Sequence, residues 1–375
     1  MATLSAWVRD LKAATFEEPP PVADLTRRVL VPGFWALDCE GLIELQALGR
    51  VIRLGMPPEA ASAIRWMERK RDGATLDDFE MALGAGLTLA SDRRIEVLSE
   101  QSFRVDGQDD LHFLPLPALS DKRLVSPTSV DTVIPAFREI LSQLGGLSAE
   151  AEGVLNSAIS LHYGAVLLFD RDLAAAYTLV IAGIEALSRQ FGSPPTAWED
   201  WEQAVSWEKF AKRQGLTDVQ YSALKSKLMR DKQLKLSQTF INYAVERMPV
   251  SFKSLSWREY TYGVDAGSGQ WIQGSWSDEK VMGDYLPAGR DQLIDALKVS
   301  YMARSGFVHS GARAVSFLDD LFGQIPGSAD GSRPLPFFVM RSLLAELIRV
   351  ELKANSSGSE LPDVTLLHDA TPAAE

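Results

Sequence analysis

The segment LIDALKVSYMARSGFVHSG, Leu293 to Gly311, is where the fold of this chain can first be read. Written as a helix, it places Leu293, Leu297, Tyr301, Arg304 and Val308 on one stripe at steps of three and four, the pattern of a helix face turned toward a core. Arg304 stands where a leucine would be expected. A guanidinium is costly to bury unless its donors meet carboxylates, phosphates or water. His309 follows five residues later and carries the side chain best suited to move protons near neutral pH. Five residues of regular helix amount to about 140° of rotation, so the two side chains share a face only if the helix ends or bends between them. Gly306, and Ser310-Gly311 beyond it, are residues at which such a distortion is expected.

Outward from this segment the texture stays helical. Leu173, Ala176, Tyr177, Val180, Ile181, Ile184, Leu187 and Phe191 repeat at steps of three and four and predict a long buried helix ended by Pro194-Pro195. Further helices are predicted over Val130 to Leu144, Ser148 to Phe169, Leu234 to Arg247 and Phe337 to Leu352, with a shorter one at Ala314 to Phe322. The aromatic and glycine-rich stretch Trp257 to Trp276 predicts a β-hairpin or long loop inserted among them. Before Pro115 to Ser129, a turn-rich boundary, the signals are mixed. Helical periods cover Leu42 to Ile52, Pro58 to Lys70 and Leu76 to Leu83, and strand-like runs cover Arg94 to Leu98 and Leu111 to Leu114. A short amphipathic helix is expected within the first 20 residues. The fold class that follows is mostly α: a helical bundle at 147–352, preceded by a smaller α+β domain at 1–140 and followed by a disordered tail at 354–375.

Composition narrows the function classes. A net charge of -12 over 375 residues argues against a protein that coats nucleic acid without a dedicated site. One cysteine, Cys39, allows no internal disulfide and suits a reducing cytoplasm. No secretory signal and no run of apolar residues long enough to cross a bilayer is visible, so no membrane association is expected. No phosphate-binding glycine loop, H-E-x-x-H, C-x-x-C or G-x-S-x-G occurs, so neither a metal nor a cofactor is expected. Ser222 to Lys225 matches S-x-x-K, a pattern this common by chance.

Against the acidic background, Lys209 to Lys235 carries eight basic residues and two acidic ones, Asp218 and Asp231. Lys225, Lys227 and Arg230 are the candidates there for contact with an RNA backbone, and a solvated helix face is the alternative. The hairpin aromatics suit either base stacking or a hydrophobic lid. His162 lies four and seven residues after Ala158 and Leu155, on an apolar face, and reads as a core histidine rather than a catalytic base.

The RSGFVH segment, Arg304 to His309, resembles the R-x4-H signature of the HEPN superfamily. Its surroundings, YMARSGFVHSG preceded by the Ile184 to Leu187 IEAL on an earlier apolar helix, are similar to the Apea-like branch. The resemblance covers roughly Leu147 to Leu352. It implies a helical bundle that pairs face to face as a homodimer, bringing two such motifs into one cleft. It also implies a metal-independent endoribonuclease, of a kind found in defence and stress systems, or a relative that kept the fold for RNA, nucleotide or protein binding. An antitoxin or other regulatory protein would then be a further partner. By this resemblance His309 would be the base, Arg304 the phosphate ligand, Ser305 a positioning hydroxyl and Glu185 the carboxylate that orients them; on the residues alone, Glu185 is equally a solvated helix edge. Tyr301 stands one turn before Arg304, as core or as part of the substrate surface.

Overall fold

The computed structural model describes residues 27–30, 42–47, 50–55, 76–92, 96–99, 123–125, 130–169, 172–231, 233–264, 271–276, 278–310 and 331–356. Helices dominate: α1 (Leu76–Ser91), α2 (Val130–Gly145), α3 (Ala149–Leu168), α4 (Leu173–Phe191), α5 (Ala204–Arg213), α6 (Asp218–Arg230), α7 (Leu236–Arg247), α8 (Arg290–Ser310) and α9 (Phe337–Asn355). Side chains set their ends. Ser148 Oγ accepts from Ala151 N at the start of α3, and Asp172 Oδ1 accepts from Ala175 N at the start of α4. Thr217 and Gln220 form a capping box on α6, and each such cap contributes about 1 kcal/mol.

One apolar core joins α1, α2, α3, α4, α7, α8 and α9. Helix α3 lies along α4, α9 packs on both, and α8 rests on α4 and α7. Small residues permit the close approach: a Cβ on Gly183 of α4 would lie 2.7 Å from Leu344 Cδ2 of α9. The turn before α9 is tied down by Ser300 Oγ, which accepts from Leu335 N, and by the Tyr177 hydroxyl, which donates to Leu335 O. Leu147 and Ser356 form an isolated antiparallel bridge at the two ends of the bundle.

The predicted division at residue 140 falls inside α2. Leu87 and Leu89 of α1, and Phe137, Ile140 and Leu144 of α2, are buried in the same core as α3 and α9. The far end of α1 is capped from α9: Arg349 donates to Leu89 O and, at 2.9 Å, to Asp92 Oδ1, while Arg341 reaches Asp92 O at 3.3 Å. Asp92 has φ 53, the left-handed turn an aspartate tolerates better than most residues.

Strands β1 (Arg27–Leu30) and β4 (Glu96–Ser99) pair antiparallel, as do β2 (Leu42–Ala47) and β3 (Arg50–Gly55). The second pair corrects the helix predicted over Leu42 to Ile52. Its register sets Ile43 opposite Leu54 and Leu45 opposite Ile52, with Glu44 opposite Arg53 on the alternate face. That two-residue alternation, broken at Leu48-Gly49, outweighs the helical period. The inserted segment is a hairpin of β6 (Ser256–Val264) and β7 (Trp271–Trp276). Strand β6 also pairs with β5 (Arg123–Val125) and with β8 (Lys280–Val281). Helix α9 runs to Asn355, beyond the predicted start of the tail. The expectations for residues 1–20, 58–70, 111–114, 314–322 and 357–375 lie outside the described residues.

Candidate functional site

Helices α4, α7 and α8 meet around one buried carboxylate. Glu185 of α4 is 3% exposed, and its Oε1 pairs with Arg189 Nη2 one turn on. Its Oε2 lies 3.1 Å from Arg304 Nη1 of α8. The solvated-edge reading of Glu185 therefore does not describe this side chain. By distance the Arg304 contact is an ion pair, yet its atoms are not aligned for a hydrogen bond. Glu185 Oε2 and Arg304 Nε are both buried without a hydrogen-bond partner among the described residues. Both arginine side chains reach water, with exposures of 27% for Arg304 and 49% for Arg189.

Tyr301 completes the cluster. Its ring packs on Phe240 of α7 at 5.1 Å between centroids. Burial and, next, the adjacent Glu185 charge push its phenol above the ordinary tyrosine range. The phenol therefore stays protonated at neutral pH and can donate a hydrogen bond. Two cations against one anion leave the cluster with an excess positive charge, partly solvated, at the edge of an apolar core.

Four members of the stripe read from the sequence bear it out: Leu293 and Leu297 are buried, and Tyr301 and Arg304 are half-buried. The break expected at Gly306 does not occur, while Gly311 lies outside the described residues. Helix α8 runs without interruption through Gly306 to Ser310. Ser305 and His309 thus occupy its last two turns. The backbone sets His309 about 7.5 Å along the axis and about 140° around from Arg304. The sequence-derived residues brought together are Glu185, Arg304 and Tyr301. Arg189 was missed, although its place one turn after Glu185 was a usable signal.

The basic candidates divide. Lys225 is half-buried, its Nζ 4.9 Å from the Trp198 ring centroid and 4.8 Å from that of Tyr221. It closes a small second core of Trp198, Trp201, Ala204 and Leu228 that holds α5 and α6. Lys227 and Arg230 are exposed on α6. The buried Lys235 donates to Pro195 O and Met229 O, and Lys298 of α8 pairs with Glu202 at 3.0 Å, so this unit is fastened to the bundle beside α8.

His162 is a core side chain, 1% exposed, but an unsatisfied one. Neither ring nitrogen has a hydrogen-bond partner among the described residues. Burial, and then the nearby Arg341, lower its pKa to about 3, so it is neutral and poorly suited to act as a base. Among the described residues no cluster of His, Cys, Asp and Glu is arranged to hold a metal ion, and no helix is long and apolar enough to cross a membrane. No family model, curated protein or solved structure matches the chain.

Proposed function

We propose that this chain is a HEPN-type, metal-independent endoribonuclease acting as a homodimer. The reading rests on Arg304: an arginine held by a buried carboxylate, with a second guanidinium beside it, an unpaired Nε donor and part of its surface in water. A structural arginine would also pair with Glu185. It would not call for Arg189 on the same carboxylate, nor leave a buried donor unmet. A phosphate oxygen can meet Arg304 where its side chain reaches water, and a guanidinium stabilises the charge that grows on phosphorus-bound oxygens during attack.

In the proposed reaction His309, as neutral imidazole, takes the proton of an RNA 2'-hydroxyl. The freed oxygen attacks the adjacent phosphorus and the bond to the 5'-oxygen breaks. That oxygen leaves with the proton the imidazole has taken up, giving a 2',3'-cyclic phosphate and a 5'-hydroxyl and returning His309 to its neutral form. Because α8 is unbroken, the pair that works together is Arg304 of one copy and His309 of the other. Ser305 sits between them in sequence and holds the phosphate or the imidazole.

The test is incubation of purified protein with single-stranded RNA in chelator, with the product ends analysed. Wild type is expected to yield cyclic phosphate, and His309→Ala to lose activity by at least about a hundredfold while melting at the same temperature. Equal cleavage by the variant removes His309 from the chemistry. The angular separation of Arg304 and His309 favours one alternative, a bundle retained for RNA or protein binding. On that reading RNA binds and no cyclic phosphate forms with either protein.

A further inference from the structure

The outward face of α5 has no role in the reaction above, and its chemistry points to a ligand. Lys209, Lys212 and Arg213 are exposed and fall within about 100° of helix rotation, opposite the buried Ala204 and Ala211. The one carboxylate of the helix, Glu208, is engaged inward, accepting from Trp198 Nε1 at 3.1 Å. Phe210, 36% exposed, lies at the Arg213 edge of this group, about 60° around the helix from it. Its ring is braced edge-on by Trp207 at 5.5 Å and faces the Arg213 guanidinium at 5.9 Å. Lys212 and Arg213 also suit the negative end of the helix dipole, but that accounts for neither Lys209 nor an aromatic ring held at the surface.

We infer that α5 is a docking strip for single-stranded RNA, its three cations taking phosphates and Phe210 taking a base. Cations along a backbone path with an aromatic platform at their side are how single strands are held without sequence preference. A duplex hides its bases and would not use the ring. The strip rests on the nuclease reading for its purpose: it feeds substrate toward Arg304. The fastening of Glu202 to Lys298 puts the start of α5 against α8, and Lys298 is about 9 Å along the helix axis from Arg304. A strand of several nucleotides bridges strip and site, and a dinucleotide does not.

The experiment uses the full chain in chelator with a labelled oligouridine of roughly a dozen nucleotides, a duplex of equal length, and the dinucleotide UpA. The triple variant K209Q/K212Q/R213Q is expected to bind the oligouridine at least about tenfold more weakly, with the salt slope reduced by about 2. Phe210→Ala is expected to weaken binding several-fold and leave the slope unchanged. UpA cleavage should be the same in wild type and both variants. Wild-type affinity and slope in the triple variant, or a duplex held as tightly as the single strand, overturns the strip. Variants that lose affinity and slope as expected, with no cyclic phosphate formed by wild type from the oligouridine or from UpA, sink the nuclease reading and support the strip.

Discussion

His162 lies near Arg341, Asp92 and Arg349, and its pKa stands at about 3 against the ordinary 6.5. Burial disfavours the imidazolium, Arg341 and Arg349 add to this, and Asp92 opposes it. As pH falls below 6.5 the unfolded chain takes up a proton that the native chain refuses. Stability therefore drops on the acid side, toward pH 3, by at most about 1.4 kcal/mol per pH unit from this residue. Urea midpoints at pH 7 and pH 5 should show a smaller difference for His162→Leu than for wild type. The variant should also gain about 1 kcal/mol at neutral pH by removing two unpaired polar atoms. An undiminished pH difference would place the acid sensitivity elsewhere. The apolar face of His162 was legible from Leu155 and Ala158, because it needs only the helical period. Its lack of partners was not, since Arg341 and Asp92 arrive from distant segments. Glu185 was ambiguous for the same reason: its neighbour Arg304 comes from another helix.

Between elements, the crossing of α4 and α9 depends on the missing side chain at Gly183. A methyl there meets Leu344 Cδ2 at 2.7 Å and Cδ1 at 3.1 Å, and Leu344 is fully buried. Overpacking of this kind costs about 1–3 kcal/mol, against a gain of about 1 kcal/mol from replacing glycine in a helix. Gly183→Ala should therefore be mildly destabilising in the wild type. In a Leu344→Ala background the same change should become stabilising, because only the propensity gain is left. Chemical denaturation of the four proteins measures the coupling, and purely additive effects would mean that α4 and α9 give way without strain. Long helices such as α4 were readable because many periods repeat the same signal. Leu42 to Ile52 was misread because so short a run fits either period, and the antiparallel register, a property of two segments, decides between them.

For the molecule as a whole, the helical character was readable, and the change of texture expected near residue 140 falls within α2. Texture changes along the chain there, while burial does not: α1 and α2 fill the same core as α3 and α9. The tryptophans after Pro195 gave no helical period, yet they build a second core of their own. Helix α8, continuous from Arg290 through Gly306 to Ser310, carries the furthest consequence. On the proposed nuclease reading, a helix that sets these two positions about 140° apart pairs Arg304 of one copy with His309 of the other. Two inactive proteins, Arg304→Ala and His309→Ala, should then rescue each other once their subunits exchange. Random pairing would restore roughly a quarter of the wild-type rate, since half the dimers carry one intact composite site. A mixture as silent as its components would mean that each chain completes its own site.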